Sequence, residues 1–443
     1  RSLQSVFQQW LKLVVSVPSP SLAMKVLSTL AVTTSARSLQ SVFQQVVNEV
    51  VAWGKANGDD VAIQLGWVSK DQSFSVASGE VTDRLVRRAV TTKDTWLYGS
   101  GTKPVTAVAV MRLVDAGVIN LNDTLAEHVD PFLRRDNGTT VAELFGDNVA
   151  QATVGQVVRM AGGVPDFEDS IGDPFDRDVF QAGYKEWPVY SFIRFSAQQK
   201  PYCNPGKCTA YSSTGYELLG LLVAAHQHPT GTYTDLNLTL AALPDPTRMP
   251  SLQFLGEHGP LAQALTTPGQ AVNPAWGSGN VVVQDQTASI LGWTCGNMVG
   301  RAQDVAQFFW DLLGPSDSRL VSDESLAFMR DYKPMTTGWG KMAHIDYGAG
   351  LMINRAAFKL DNTTDWHYAY YEGHGGETYG FSSNQGFSTK AQAAFSIVTN
   401  TDNTTYSAVA ACRMMVALAE TRGEQVDYGC GKVIINPFDT VVV

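Results

Sequence analysis

Apolar residues recur at helical spacing from about Val42, through Val46, Val47, Val50, Val51 and Trp53, and the pattern stops near Gly54 to Gly58. That periodicity predicts an amphipathic helix. Two short alternating stretches follow, Val61–Val68 and Ser73–Val76, separated by a Lys70-Asp71 turn. They predict a hairpin of an antiparallel sheet. Helical spacing returns at Ser100 and ends at Gly117, with Val105, Val108, Ala109, Met111 and Leu113 on the apolar face and Pro104 tolerated in the first turn. Between about 120 and 285 the chain reads as helix and loop. Strand patterns reappear at Gly350–Ile353, Thr378–Ser382 and Ala393–Thr399, before a last helix over Tyr406–Thr421. Strands near both ends with helices between them predict a mixed α/β (α+β) architecture. An antiparallel sheet is built from both termini (about 37–99 and 286–443), is flanked by helices, and carries a helical insert over about 100–285.

The N-terminal region departs from this pattern. Arg1–Gln9 recurs unchanged at Arg37–Gln45, and between the copies lie Met24-Lys25, the apolar run Val26–Val32 and Thr34-Ser35-Ala36. A basic start, an apolar stretch and small residues form the layout of a short signal peptide. A duplicated segment without structure of its own is the other reading. Residues 1–36 are set apart on either account, leaving 37–443 as one catalytic domain. No apolar run reaches the ~18 residues of a membrane span.

Composition narrows the partners. A net charge of −10 over 443 residues disfavours nucleic acid and anionic membrane surfaces. Five cysteines allow two local pairs in an oxidising compartment, Cys203 with Cys208 and Cys412 with Cys430, leaving Cys295; other pairings stay open. Neither CxxC nor HExxH occurs, so no metal and no cofactor are expected. His226 and His228 read as a solvated pair. His258, His344, Trp276 and Trp293 read as packing or rim residues. Sequons at Asn122, Asn137, Asn237, Asn362 and Asn403 point toward secretion.

Candidate chemistry starts at Ser100-Gly101-Thr102-Lys103. A neutral serine hydroxyl needs a base or an activating partner within hydrogen-bond reach. Residues three apart share a helix face, so Lys103 can reach Ser100, and the helix N-terminus favours developing negative charge there. Alone, the motif reads better as a helix-capping serine followed by a surface lysine. A lipase-type elbow, G-x-S-x-G, is excluded because Tyr98 stands where its first glycine belongs.

Four segments, in order, carry a resemblance. Trp96–Gly117 resembles the nucleophile helix of class C β-lactamases and the related D,D-peptidases and esterases. Thr153–Asp169 (TVGQVVRMAGGVPDFED) is similar to the loop that follows it. Asn204–Gly220 (NPGKCTAYSSTGYELLG) resembles the Tyr-x-Asn motif, and Gly373–Ser383 (GHGGETYGFSS) the Lys/His-x-Gly strand. The resemblance implies the β-lactamase and penicillin-binding protein fold and a serine hydrolase acting through an acyl-enzyme. It implies Ser100 as the acylated serine, Lys103 as its partner and Tyr211 as the proton shuttle. The tyrosine anion would be stabilised by Lys103 and by His374 if protonated. His374 and Gly376 belong to the implied substrate-binding triad, with a cation at His374 suited to a substrate carboxylate. The backbone N–H groups of Ser100 and Glu377 are the implied oxyanion hole, the Glu377 side chain being incidental.

Two departures shape the expected substrate. Ser213 replaces the carboxamide that contacts the substrate, and His374 replaces the lysine of true class C enzymes. Both point toward esterase, amidase or D-aminoacyl peptidase relatives rather than efficient β-lactam hydrolysis. The expectation is a secreted hydrolase of a small-molecule or peptide acyl substrate, an ester or amide, with its oligomeric state open. A non-catalytic ligand-binding or scaffold protein on the same fold is the alternative. Retention of the serine, lysine, tyrosine and histidine together argues against it.

Overall fold

The computed structural model describes residues 37–83, 85–169, 185–256, 264–270, 283–354, 370–426 and Cys430. His258, Trp276, Asn362 and the leader-like segment lie outside them. The chain divides after Val42 into two compact units, and the account that follows concerns the second. Helix α1 (Leu39–Ala56) buries Phe43, Val46, Val47 and Val50, the stripe that its spacing predicts. Strands β1 (Ile63–Ser69) and β2 (Ser73–Ser78) form the expected hairpin.

Six further strands complete one sheet: β3 (Lys333–Pro334), β4 (Ile345–Tyr347), β5 (Met352–Asn354), β6 (Glu372–Thr378), β7 (Phe381–Ser388) and β8 (Ala393–Thr399). Their spatial order is β2-β1-β8-β7-β6-β5-β4-β3, with every neighbouring pair antiparallel. N-terminal β1 therefore pairs directly with C-terminal β8, in register from Ile63 opposite Thr399 to Ser69 opposite Ala393. A sheet assembled from both ends of the chain is the architecture that the strand distribution predicts.

Both faces of the sheet are covered, and β1 shows how. Side chains alternate along a strand. A side chain at Gly66 would strike the Ala302 backbone, whereas neighbouring Trp67 packs edge-on against Phe43 with ring centroids 5.1 Å apart. A helix over Ala302–Leu313 thus covers one face and α1 the other. Continuous burial of Ile63–Val68 follows, although the pairing is antiparallel. One polar residue sits inside this run. The Gln64 side chain accepts from the Ala302 N–H at 2.6 Å and donates to the Thr91 carbonyl at 2.8 Å, tying strand, helix and loop together.

One strand assignment needs correction. Thr378–Ser382 is not a strand but crosses the tight turn between β6 and β7, where Thr378 pairs with Phe381. The strand that precedes this turn, β6, was expected only through the resemblance of Gly373–Ser383 and has the sequence EGHGGET. Three glycines in seven residues carry no β-propensity, so its extended form comes from the strands on either side.

Candidate active site

The turn Gly99–Thr102 leads directly into the helix Lys103–Asp115, placing Ser100 at its N-terminal end. Gly99 has φ +49, and a Cβ there would lie 2.4 Å from the Glu377 carbonyl oxygen. A Cβ on Gly376 would lie 1.9 Å from the Tyr98 carbonyl oxygen. Only glycine fits at these two points, and the nucleophile turn consequently packs backbone against backbone on β6. Thr102 and Thr106 anchor the helix start: Thr102 Oγ1 accepts from the Met298 N–H at 3.0 Å, and Thr106 Oγ1 donates to the Thr294 carbonyl at 2.6 Å.

Lys103 is fully buried, and its ammonium donates to Ser100 Oγ at 2.9 Å and to the Cys295 carbonyl at 3.3 Å. The Tyr211 hydroxyl is hydrogen-bonded to both Lys103 and Ser100, and Lys103 Nζ lies 4.8 Å from the Tyr211 ring centre. Burial alone would lower the lysine pKa. The acidic groups around it, Tyr211 first and then Cys295 and Glu168, outweigh burial and hold it above the ordinary lysine range. Burial pushes Tyr211 up to about 12, against the opposing pull of Lys103 and Ser100. At neutral pH the resting set is an ammonium, a phenol and a hydroxyl sharing hydrogen bonds.

Tyr211 is delivered by a stiff loop. The Cys203–Cys208 disulfide lies just before it. The Ala210 N–H donates to the Met160 carbonyl at 2.8 Å, and Ser212 caps the following helix, Ser213–Gln227, by accepting from the Gly215 N–H at 3.0 Å. The second disulfide joins Cys412 to Cys430, and Cys295 is the buried free thiol. These are the two local pairs.

Three expectations about the surroundings change. Ser213 does not line the pocket: it is buried, its N–H donates to Asp166 Oδ2 at 2.9 Å, and its hydroxyl donates to Glu168 Oε2 at 3.3 Å. His374 borders the pocket but presents no cation to it. Its ring is fully buried, Nδ1 faces the Gly375 carbonyl, and Nε2 lies 3.0 Å from the Tyr347 hydroxyl. Burial first, then Lys103, lowers its pKa to about 3, so His374 is neutral and satisfied on both nitrogens. The Glu377 side chain is not incidental: it opens onto the pocket. Partial loss of hydration at the cavity wall, with Asp402 and Glu168 adding repulsion, raises its carboxyl to about 7.

Ser100, Tyr211, His374, Gly376 and Glu377 border one cavity of about 570 Å³. Glu168 and Asp402 line it as well, and neither was singled out from the sequence. Glu168 sits in the Thr153–Asp169 segment, where the only signal was its position beside a resembling loop. Ile290, Leu291, Ala343 and Ile345, from between the second and third motif segments, form apolar wall. His226 is not part of a solvated pair with His228; its Nε2 lies 3.1 Å from His128 Nδ1 across two helices. Among the described residues no helix is long and apolar enough to cross a membrane.

Solved structures share this arrangement of elements. D-amino acid amidase from Ochrobactrum anthropi SV3, complexed with L-phenylalanine amide, superposes with a TM-score of 0.65 at 20% identity over 88% of this chain and 100% of that one. D-stereospecific amidohydrolase from Streptomyces sp. gives 0.63 at 19% over 87% and 99%. Among curated sequences, penicillin-binding protein 4 of Amycolatopsis lactamdurans is 28% identical over 281 residues, 60% of this chain and 66% of that protein. Protein flp of Staphylococcus aureus is 27% identical over 144 residues, 24% of its own length. The chain thus spans less than two thirds of these curated relatives. The Beta-lactamase family model matches residues 47–418, a stretch that holds the nucleophile turn, the Tyr211 loop and the glycine-rich strand together. With most of its length matched, the chain belongs to the Beta-lactamase family.

Proposed function

We propose that the protein is a serine hydrolase that forms an acyl-enzyme at Ser100 on an amide or ester. The observation that carries this reading is the hydrogen-bonded set of Ser100, Lys103 and Tyr211 on the wall of one cavity. In the form of the Lys103/Tyr211 pair that has given up one proton to solvent, Ser100 Oγ attacks the carbonyl carbon and passes its proton to the pair. The carbonyl oxygen takes up negative charge beside the backbone N–H groups of Ser100 and Glu377 at the helix N-terminus. The C–N or C–O bond then breaks, the leaving group takes the proton, and water releases the acyl group by the same steps in reverse.

Among the described lining residues there is no lysine or arginine to receive a substrate carboxylate, and His374 is neutral. That supports simple amides and esters over β-lactams. The likeness to amidases crystallised with phenylalanine and its amide supports aminoacyl amides within that class. Two disulfides support an oxidising, extracellular location.

The test is labelling with a fluorophosphonate probe followed by peptide mass spectrometry. Modification at Ser100, lost in Ser100→Ala, is the expected result. Labelling of another serine ends the assignment. Absence of turnover with nitrophenyl esters, aminoacyl amides and nitrocefin would favour a non-catalytic binder. Mass analysis of protein recovered from culture medium tests export.

A further inference from the structure

Behind the Tyr211 loop, Tyr347 ends strand β4, fully buried and outside the described lining of the cavity. A side chain that meets no substrate reaches the chemistry only through its neighbours. The Tyr347 hydroxyl lies 3.0 Å from His374 Nε2 on β6. Its ring stands edge-on to Tyr211, with centroids 5.9 Å apart and an interplanar angle of 87°. The turn that follows closes with the Gly348 N–H donating to the Leu351 carbonyl at 2.8 Å, and it seats on the nucleophile helix. A Cβ on Gly350 would lie 2.4 Å from the Ala107 Cβ and 3.2 Å from the Lys103 carbonyl oxygen. One short strand thus registers the helix of Ser100 and Lys103, the Tyr211 loop and β6 against one another.

The other nitrogen of His374 sets the direction of the hydrogen bond to Tyr347. His374 Nδ1 faces the Gly375 carbonyl, which only accepts, so Nδ1 carries the imidazole proton. Nε2 of the neutral ring then holds a lone pair and no hydrogen, and the Tyr347 hydroxyl donates to it. Tyr216 also adjoins Tyr347, but its hydroxyl donates to the Val158 carbonyl at 2.7 Å and so does not serve Nε2. The direction matters because of where His374 sits. Its ring centroid is 6.2 Å from that of Tyr211, and the Lys103 charge acts on it. With an open lone pair, the imidazole would offer the Tyr211 and Lys103 hydrogens a second acceptor and draw them off Ser100. Donation from Tyr347 occupies that lone pair and fixes the ring plane.

We propose that Tyr347 is a positioning residue for acylation: its hydroxyl occupies His374 Nε2 and keeps the imidazole out of the proton exchange, while its ring holds Tyr211 against Ser100. The proposal rests on the serine-hydrolase reading and adds to it a residue that touches no reacting atom. It also gives His374 a reason to be neutral. The imidazole braces β6 without acting as a base, and the serine proton passes to Lys103 and Tyr211 alone.

The test uses Tyr347→Phe in the full-length protein, which keeps the ring against Tyr211 and removes only the hydroxyl. Nitrogen NMR of isotope-labelled histidine reads the imidazole directly and needs no turnover, with the His374 signals assigned by their loss in His374→Leu. At neutral pH the wild type should show His374 protonated at Nδ1, with Nε2 a hydrogen-bonded acceptor. In Tyr347→Phe the Nε2 resonance should move to the position of a free acceptor. On p-nitrophenyl butyrate, kcat of this variant should fall about three- to tenfold, the rate equivalent of one hydrogen bond, with KM within about twofold of wild type. Because the two residues act through one contact, Tyr347→Phe/His374→Leu should be no slower than His374→Leu alone. A wild-type spectrum with the proton on Nε2 overturns the proposal, since Tyr347 would then accept. So does an unchanged kcat in Tyr347→Phe, or a double variant slowed by the full product of the two single losses. If Tyr347→Phe fails to fold, the wild-type spectrum decides alone. Turnover with the wrong tautomer sinks this inference and leaves the hydrolase reading; the expected spectrum without turnover of any substrate does the reverse.

Discussion

Lys103 Nζ lies 2.9 Å from Ser100 Oγ, one turn along the same helix, and is shielded completely from solvent. This contact joins a nucleophile to an ammonium placed to stabilise its anion, and the Tyr211 hydroxyl completes the set. Removing either partner breaks up the hydrogen-bonded pair that has to take the serine proton.

Lys103→Met keeps the apolar stem and removes the charge. Esterase activity on p-nitrophenyl butyrate should fall by about 100- to 10,000-fold, the range for a lost acid–base group. Tyr211→Phe should fall within the same range. A double variant should be little worse than either single one, because the two act as a unit. Retention of activity within about tenfold in either single variant contradicts the shared-proton arrangement.

His374 makes stability depend on acid pH. Its folded pKa is about 3 against an ordinary histidine value near 6.5, so the unfolded chain binds a proton that the folded protein refuses. The contribution is fully present above about pH 6.5 and is lost progressively as pH falls toward 3, with a slope of up to about 1.4 kcal/mol per pH unit. Urea unfolding measured across that window should show a flatter curve for His374→Asn. An unchanged slope would mean that the imidazole is not the neutral, buried group described.

Gly376→Ala tests the backbone contact between β6 and the nucleophile turn. The added methyl would lie 1.9 Å from the Tyr98 carbonyl oxygen, an atom that cannot move without displacing Ser100. A loss of about 3 kcal/mol in stability is expected. Ser100 labelling should slow even in the fraction that remains folded. Wild-type thermal unfolding together with wild-type labelling would sink this account.

Cysteines 203 and 208 close a loop of sequence separation 5 just before Tyr211. Loop-closure entropy assigns such a bridge about 2 kcal/mol. The double variant Cys203→Ser/Cys208→Ser should lose about that much in denaturant unfolding, with a kcat decrease from a less rigid Tyr211 loop. A stability loss with unchanged kcat would limit the bridge to stapling the loop.

The glycine-rich strand separates what could and could not be read locally. Its His-Gly-Gly composition marked it as unusual, and the resemblance placed it beside the nucleophile. Its strand state was legible only through that resemblance, not from local propensity, because the state is imposed by pairing with β7 and β5. By contrast β8, which is mostly apolar and buried throughout, was legible residue by residue: Ala393–Thr399 was predicted and found. Interior strands covered on both faces declare themselves through hydrophobicity, whereas a strand made for close backbone approach does not.

The sequence by itself determined the order of elements and the helix that puts Lys103 three residues from Ser100, and it favoured the two local disulfides while leaving other pairings open. These depend on short-range periodicity and spacing, which the chain carries directly. Only the tertiary structure decided which side chains face the cavity and in what charge state. It placed Ser213 behind the wall, made His374 neutral against Tyr347, and set Glu168, Glu377 and Asp402 around the nucleophile. Burial and proton affinity are properties of surroundings assembled from distant segments, and no local pattern encodes them.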